Sequence, residues 1–229
     1  MATPTEALSK LQSDPVNFLR DYHVLVVRAK GQSGPTTYWF GGVGYVHSRG
    51  KTFYNRTARP DKILGELWMH DSKNFKFATD RRDLVGSPAQ VMAWHVDVVG
   101  SDSNAIVGNI VPALAVSRNG GPDIVLTTLL NGCTFACDPT PHSVLMAHVQ
   151  PKGEGTTGEN LHVRIESGGM QLQGSQGLAG KRTFGRINYT ANDDVTIIGV
   201  RSGTRWRMFA QVHTRNEKDR TRVDEFFSG

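Results

Sequence analysis

The second half of the chain is a succession of short β-type runs cut by turn residues, and no other feature limits the fold as strongly. From Asp123 onward come DIVLTTLL, CTFACD, SVLMAHVQ, LHVRIES, GRINYT, DVTIIGVR and RWRMFAQVH, rich in valine, isoleucine, threonine and aromatics. Runs this short are not stable alone. They pair into sheets and bury one face against a second layer. Asn131-Gly132 and Ser202-Gly203 are turn signals between them. The first half reads differently. Thr3 and Glu6 have capping-box spacing, and Asp14-Pro15 pairs an N-cap with a first-turn proline opening PVNFLRDYH. A helical region over about residues 3–22 is therefore expected. HVLVVRA reads as a strand, and TTYWFGGVGYVHS as β-rich chain in which GGVG marks a bulge or a close backbone approach. KILGELWMH sets Ile63, Leu64, Leu67 and Trp68 on one helical face. Ser87-Pro88-Ala89-Gln90 has the form of a second capping box, opening a helix in AQVMAWHVDVV. With no repeat and no linker, the expectation over 1–229 is one α+β domain: a β-sandwich-like core of mixed and antiparallel sheets flanked by helices.

Composition narrows the partners. A net charge of +5 suits an acidic protein, a membrane surface or nucleic acid, but the basic residues are scattered. Arg201, Arg205 and Arg207 are the nearest thing to a patch. Aromatics make up 8% and no nucleic-acid motif is present, so no nucleic-acid partner is expected. No apolar run approaches the length of a membrane span. MATPTEALSKLQSDP lacks the basic and apolar regions of a secretory signal, which fits a bacterial cytoplasmic protein or an effector exported to act in a host cytosol. The polar, glycine-rich stretches 151–160 and 174–182 read as loops able to rim a site.

The two cysteines, Cys133 and Cys137, are four apart. Along a strand their Cα atoms would lie roughly 13 Å apart, beyond disulfide reach. The spacing also makes the pair a poor metal site, so free thiols in a reducing compartment are expected. If CTFACDPTPHSVLMAHVQ forms two antiparallel strands joined through DPTPH, and Cys137 faces Val144, then Cys133 faces His148. Directly opposed residues have Cβ atoms about 5 Å apart, the separation of a thiol and its imidazole base. Gly132 would let a substrate carbonyl approach the backbone, and the Cys133 N–H could help hold an oxyanion. His142, inside the turn, and Cys137, far from His148, are weaker candidates. The plain alternative is a small apolar cysteine in a core and a satisfied histidine on a strand.

This stretch resembles the glutamine deamidase superfamily that includes the chemoreceptor deamidase CheD, the Burkholderia lethal factor and the catalytic domain of cytotoxic necrotizing factor. The resemblance runs from Thr127 to Pro151. It rests on LNGC, on MAHVQP, and on the spacing Thr-x5-Cys-x14-His. Asn131 stands where the toxins commonly carry serine. The resemblance implies that Cys133 attacks a glutamine side-chain amide of a target protein, that His148 is its base, and that Thr127 orients the imidazole. It implies a β-sandwich flanked by helices, needs no cofactor, and names a protein carrying a reactive glutamine as the partner. Two other classes compete: a transglutaminase or cysteine protease with the same dyad, and a binding module whose cysteine is merely buried.

Overall fold

The computed structural model of the protein describes residues 3–27, 33–42, 45–48, 51–54, 74–176, 182–214 and 221–229. The expected helix in KILGELWMH, the end of GGVG and most of the 174–182 loop lie outside them. In chain order the elements are α1 (Pro4–Ser13), α2 (Pro15–Asp21), β1 (His23–Val26), β2 (Gly34–Gly42), β3 (Tyr45–Ser48), β4 (Lys51–Tyr54), β5 (Asn74–Ala78), β6 (Val85–Val96), β7 (Val98–Gly100), β8 (Ile110–Val111) and β9 (Leu114–Ser117). There follow β10 (Ile124–Thr127), β11 (Thr134–Pro139), β12 (Ser143–Gln150), α3 (Gly158–Glu166), β13 (Gln171–Leu172), β14 (Arg182–Phe184), β15 (Asp193–Ser202), β16 (Arg205–Thr214) and β17 (Thr221–Ser228).

Two sheets carry the fold, which is α+β. The larger has eight strands in the order β1-β5-β2-β6-β10-β15-β16-β17, of mixed direction. The smaller runs β14-β11-β12-β7, with β9 also paired to β12. Strand alternation decides what each face buries. Val125, Val195, Ile197, Trp206, Met208 and Ala210 of the larger sheet pack against Cys133, Phe135, Cys137, Val144, Met146 and Phe184 of the smaller. The intervening positions point outward on both sides. Ile124, Leu126, Ile198 and Phe209 meet α1 and α2, while Ala136, Leu145, Ala147 and Val149 meet α3. The layers are therefore helix, sheet, sheet, helix. Among the described residues no helix is long and apolar enough to cross a membrane.

Helix α1 forms as its signals require, whereas Asp14 stands at the N-cap of α2 without a side-chain capping bond. The Thr3 hydroxyl accepts from the Glu6 amide at 3.3 Å and the Glu6 carboxylate accepts from the Thr3 amide at 2.8 Å, a complete capping box. Pro15 occupies the first turn of α2. The C-terminal end of α2 is closed by a residue far away in sequence. Buried Gln211 of β16 donates to the carbonyls of Leu19 at 2.6 Å and Tyr22 at 2.7 Å, and accepts from the Val24 amide at 2.9 Å. The Ser202-Gly203 turn joins β15 to β16, with Gly203 at φ +61°. The β2–β6 register shifts between Phe40 and Gly42, and a Cβ at Gly41 would lie 3.0 Å from Pro88.

Several sequence expectations are overturned. AQVMAWHVDVV is not helical: it belongs mostly to β6, which is paired on both edges, by β2 and β10. Two strand neighbours outweigh the local capping signal. LHVRIES is helix α3, not a strand. Thr157 caps it by accepting from the Asn160 amide at 3.1 Å, and Leu161, His162 and Ile165 share its buried face. GRINYT is a turn, closed by Asn188 donating through its amide to the Gly185 carbonyl at 2.7 Å and accepting from the Gly185 amide at 2.9 Å. β17 has no counterpart among the expected strands. The basic trio is largely engaged on its own surface: Arg201 pairs with Asp123 at 2.6 Å, Arg207 with Glu225 at 2.6 Å, and Arg205 bonds Ser228 at 2.8 Å.

Candidate functional site

The candidate residues lie where the chain changes sheets. β6 ends at Val96 in the larger sheet, and after Asp97 the chain continues as β7 in the smaller one. Thr127, the last residue of β10, pairs with Val96, and His148 of β12 pairs with Val98. This seam brings a threonine of one sheet against a histidine of the other. The Thr127 hydroxyl lies 2.7 Å from the Val96 carbonyl oxygen and 2.7 Å from His148 Nδ1. A carbonyl can only accept, so the single hydroxyl proton goes to Val96. The hydroxyl oxygen then accepts from Nδ1–H of His148. That fixes the neutral imidazole in the tautomer whose lone pair is on Nε2, as a general base requires. Thr127 is fully buried and His148 is 1% exposed, so bulk water does not compete for this arrangement.

Cys133 reaches the same seam by a second route. After Thr127 the chain leaves the larger sheet, makes one last bridge from Leu130 to Val195, bends at Asn131-Gly132 and enters the smaller sheet at Thr134. Gly132 has φ +87°, a conformation in which a side chain would be strained. Thr127 and Cys133 therefore stand at the two ends of one inter-sheet crossing. A Cβ on Gly158, at the start of α3, would lie 2.6 Å from the Gly132 carbonyl oxygen, so the helix end abuts this bend.

The expected register of β11 and β12 is corrected. Cys137 faces Met146, not Val144, and His148 faces Phe135, not Cys133. The cause is a tighter turn than DPTPH allowed. Asp138 and Pro139 remain in the strand, and Thr140 closes on Ser143 through backbone and hydroxyl bonds of 2.8–3.0 Å. The shift is two residues, so faces are preserved. Phe135 and Cys137 point into the inter-sheet core with His148, and Cys133, which precedes the first paired residue Thr134, is buried in the same core cluster. His142 lies in the turn, as expected.

Burial acts against ionisation of both thiols. Burial pushes the Cys133 thiol up to about 11, with a backbone hydrogen bond from Asn131 pulling the other way. Cys137 is driven well above its ordinary value by burial and then by the Asp138 charge. Both cysteines are free thiols, and both rest protonated near neutral pH. The loop after β12 is short and tied down: Ser101 Oγ donates to the Lys152 carbonyl at 2.7 Å and accepts from its amide at 2.8 Å. Gly155 and Thr156 of that loop, with Asn160, Val163 and Arg164 of α3, line a pocket of about 370 Å³ that does not include Cys133 or His148.

Sequence reasoning missed Tyr189. Its hydroxyl donates to the Cys133 carbonyl at 2.8 Å, and the ring is 5% exposed. Burial, then the Cys133 charge, raise the phenol above its ordinary value, and the Gly132 backbone acts in the opposite sense. Read as part of a strand, GRINYT gave no cue that this ring would turn inward. Among the described residues no cluster of three or more histidine, cysteine or acidic side chains is arranged to hold a metal ion.

No family model matches this chain, and no curated protein matches it.

Proposed function

We propose that this protein is a cysteine-dependent protein-glutamine deamidase, with Cys133 as nucleophile, His148 as general base and Thr127 as the residue that sets the imidazole. The observation that carries the reading is the Thr127 hydroxyl spanning the Val96 carbonyl and His148 Nδ1 at 2.7 Å each. It prepares a base on the core face that also holds the one cysteine preceded by a glycine bend. With the thiol resting protonated, His148 Nε2 takes the proton as the sulfur attacks the carboxamide carbon. The same imidazole hands that proton to the departing nitrogen, and ammonia leaves as the C–N bond breaks. Water, activated by His148, then attacks the thioester carbon, releasing glutamate and the Cys133 thiol. Asn131 and Gly132 supply the backbone approach for the carbonyl, and the Cys133 amide is the candidate oxyanion donor.

A second reading has its own support: Cys133 is 5% exposed and its thiol is raised, as befits a core residue of a binding module. One experiment separates the two. Candidate target proteins are incubated with wild type and with Cys133→Ser, and then examined by mass spectrometry for a glutamine-to-glutamate gain of about one dalton, with ammonia measured in parallel. Deamidation by wild type and its loss by orders of magnitude in a folded Cys133→Ser protein support the enzyme. Amine incorporation in place of ammonia release without incorporation would make it a transglutaminase. Full activity of folded Cys133→Ser would remove Cys133 from the chemistry.

A further inference from the structure

We infer that Tyr189 is a positioning residue for Cys133, its hydroxyl pinning the Cys133 carbonyl so that the thiol keeps a fixed orientation at the Gly132 bend. The pinning follows from geometry, and its kinetic consequence rests on the deamidase reading above. Two constraints bracket Cys133. On its N-terminal side Gly132 holds φ +87°, and on its C-terminal side the Tyr189 hydroxyl holds the carbonyl at 2.8 Å. The ring that delivers this hydroxyl is itself fixed. It stacks on Phe184 with centroids 6.1 Å apart and planes 8° from parallel. The Arg186 guanidinium lies over the ring, 5.5 Å from its centroid, and donates to the Tyr189 carbonyl at 3.0 Å. Arg186 also pairs with Glu159 in the first turn of α3 at 3.3 Å. The turn 185–190 is thereby clamped between the helix and the bend at Gly132. The buried phenol needs an acceptor, and the one it takes is the backbone of Cys133, so satisfying the ring and holding the cysteine are one contact.

The test is Tyr189→Phe, which removes the oxygen and keeps the stack, the cation above it and the volume. Cys137 provides an internal standard, since it lies on the same core face four residues along and is fully buried. In the folded variant, iodoacetamide is expected to label Cys133 about fivefold faster than in wild type, the worth of one neutral hydrogen bond, while Cys137 labelling is unchanged. Ammonia release from a glutamine substrate identified with wild type is expected to fall about fivefold in kcat with KM unchanged, because the thiol is looser yet less well aimed. A rise in labelling of both cysteines would mean general loosening of the fold and would overturn a specific role. So would labelling of Cys133 within twofold of wild type. If wild type itself releases no ammonia from any target, the deamidase reading fails, while the ratio of Cys133 to Cys137 labelling still decides the pinning.

Discussion

Thr127→Val is the sharpest perturbation of the seam, because valine keeps the β-branched shape and removes only the hydroxyl. That hydroxyl is the donor to the Val96 carbonyl and the acceptor for His148 Nδ1–H, at 2.7 Å in each case. All three groups are buried, with Thr127 at 0% and His148 at 1% exposure, so water cannot replace either bond without opening the core. Each buried partner left unsatisfied costs about 1–3 kcal/mol. Two such losses give about 2–6 kcal/mol, a large fraction of the stability of an ordinary domain. The imidazole also loses the contact that selects its tautomer, so on the proposed deamidase reading ammonia release is expected to fall by at least tenfold in protein that is still folded. Thr127→Ser keeps the hydroxyl and loses a methyl. It is expected to retain most of the activity and to lose about 1 kcal/mol of stability. Urea melts and ammonia release on the same preparations test both halves. A Thr127→Val protein that loses less than about 1 kcal/mol and keeps full activity would refute the assignment of the hydroxyl as the bridge between the sheets.

Alkylation of Cys133 is expected to accelerate about tenfold per pH unit from pH 7 to beyond pH 10, tracking a thiol at about 11, whereas a plateau below pH 8 would reveal an imidazolium-stabilised thiolate instead. Gln211→Leu strips three backbone partners at Leu19, Tyr22 and Val24 and is expected to cost about 3 kcal/mol or more in urea denaturation; a loss below about 1 kcal/mol would show that α2 does not depend on this closure. Burial, and then the charge of His213, lowers His23 to about 3, so protonation opposes folding: stability is complete above about pH 6.5 and declines as pH falls toward 3, by at most about 1.4 kcal/mol per unit. His23→Leu is expected to flatten that decline in acid denaturation curves, and an unchanged slope would assign the acid sensitivity to other groups.

Much of the architecture was legible because short-range rules and sheet periodicity agreed there. The capping box at Thr3, the proline at the start of α2, the extent of β12 and the turn at Ser202-Gly203 all follow from local chemistry. The failures have a common physical origin. β6 carries a helix-start signal but has strands on both edges, and those pairings are non-local. α3 contains β-branched residues that read as a strand, yet a capped turn and an apolar face against β11 and β12 hold it helical. Nothing within LHVRIES announces that the sheet beside it is already complete. DPTPH, rich in turn residues, reads as the whole connection, whereas its first two residues, Asp138 and Pro139, are the last paired positions of β11.

Thr127 entered through the resemblance and His148 through an assumed register, yet the structure brings their side chains to 2.7 Å of one another, for a physical reason. Six residues take the chain from the end of β10 across to the start of β11, and fourteen residues between Cys133 and His148 take it out along β11 and back along β12 to the same seam. A crossing of fixed length between two sheets of fixed separation leaves little freedom in where its ends fall. The same two-residue parity explains why a wrong register still gave the right face: a slip of one would have turned His148 toward α3, away from Thr127. What spacing cannot carry is the contribution of groups from outside the crossing. The Val96 carbonyl comes from the corner where β6 becomes β7, and the Tyr189 hydroxyl from a turn more than fifty residues beyond Cys133. Each contact has a backbone carbonyl as its acceptor, and a carbonyl has no identity in sequence. The environment of the thiol has the same character. Its rise to about 11 reflects how completely the two sheets close over it, a property of the whole core and of no single neighbour. On the proposed reading, a nucleophile in that setting depends on its base at the moment of attack, so the Thr127 hydrogen bond, and not a standing thiolate, is the feature whose removal discriminates between a working site and a buried cysteine.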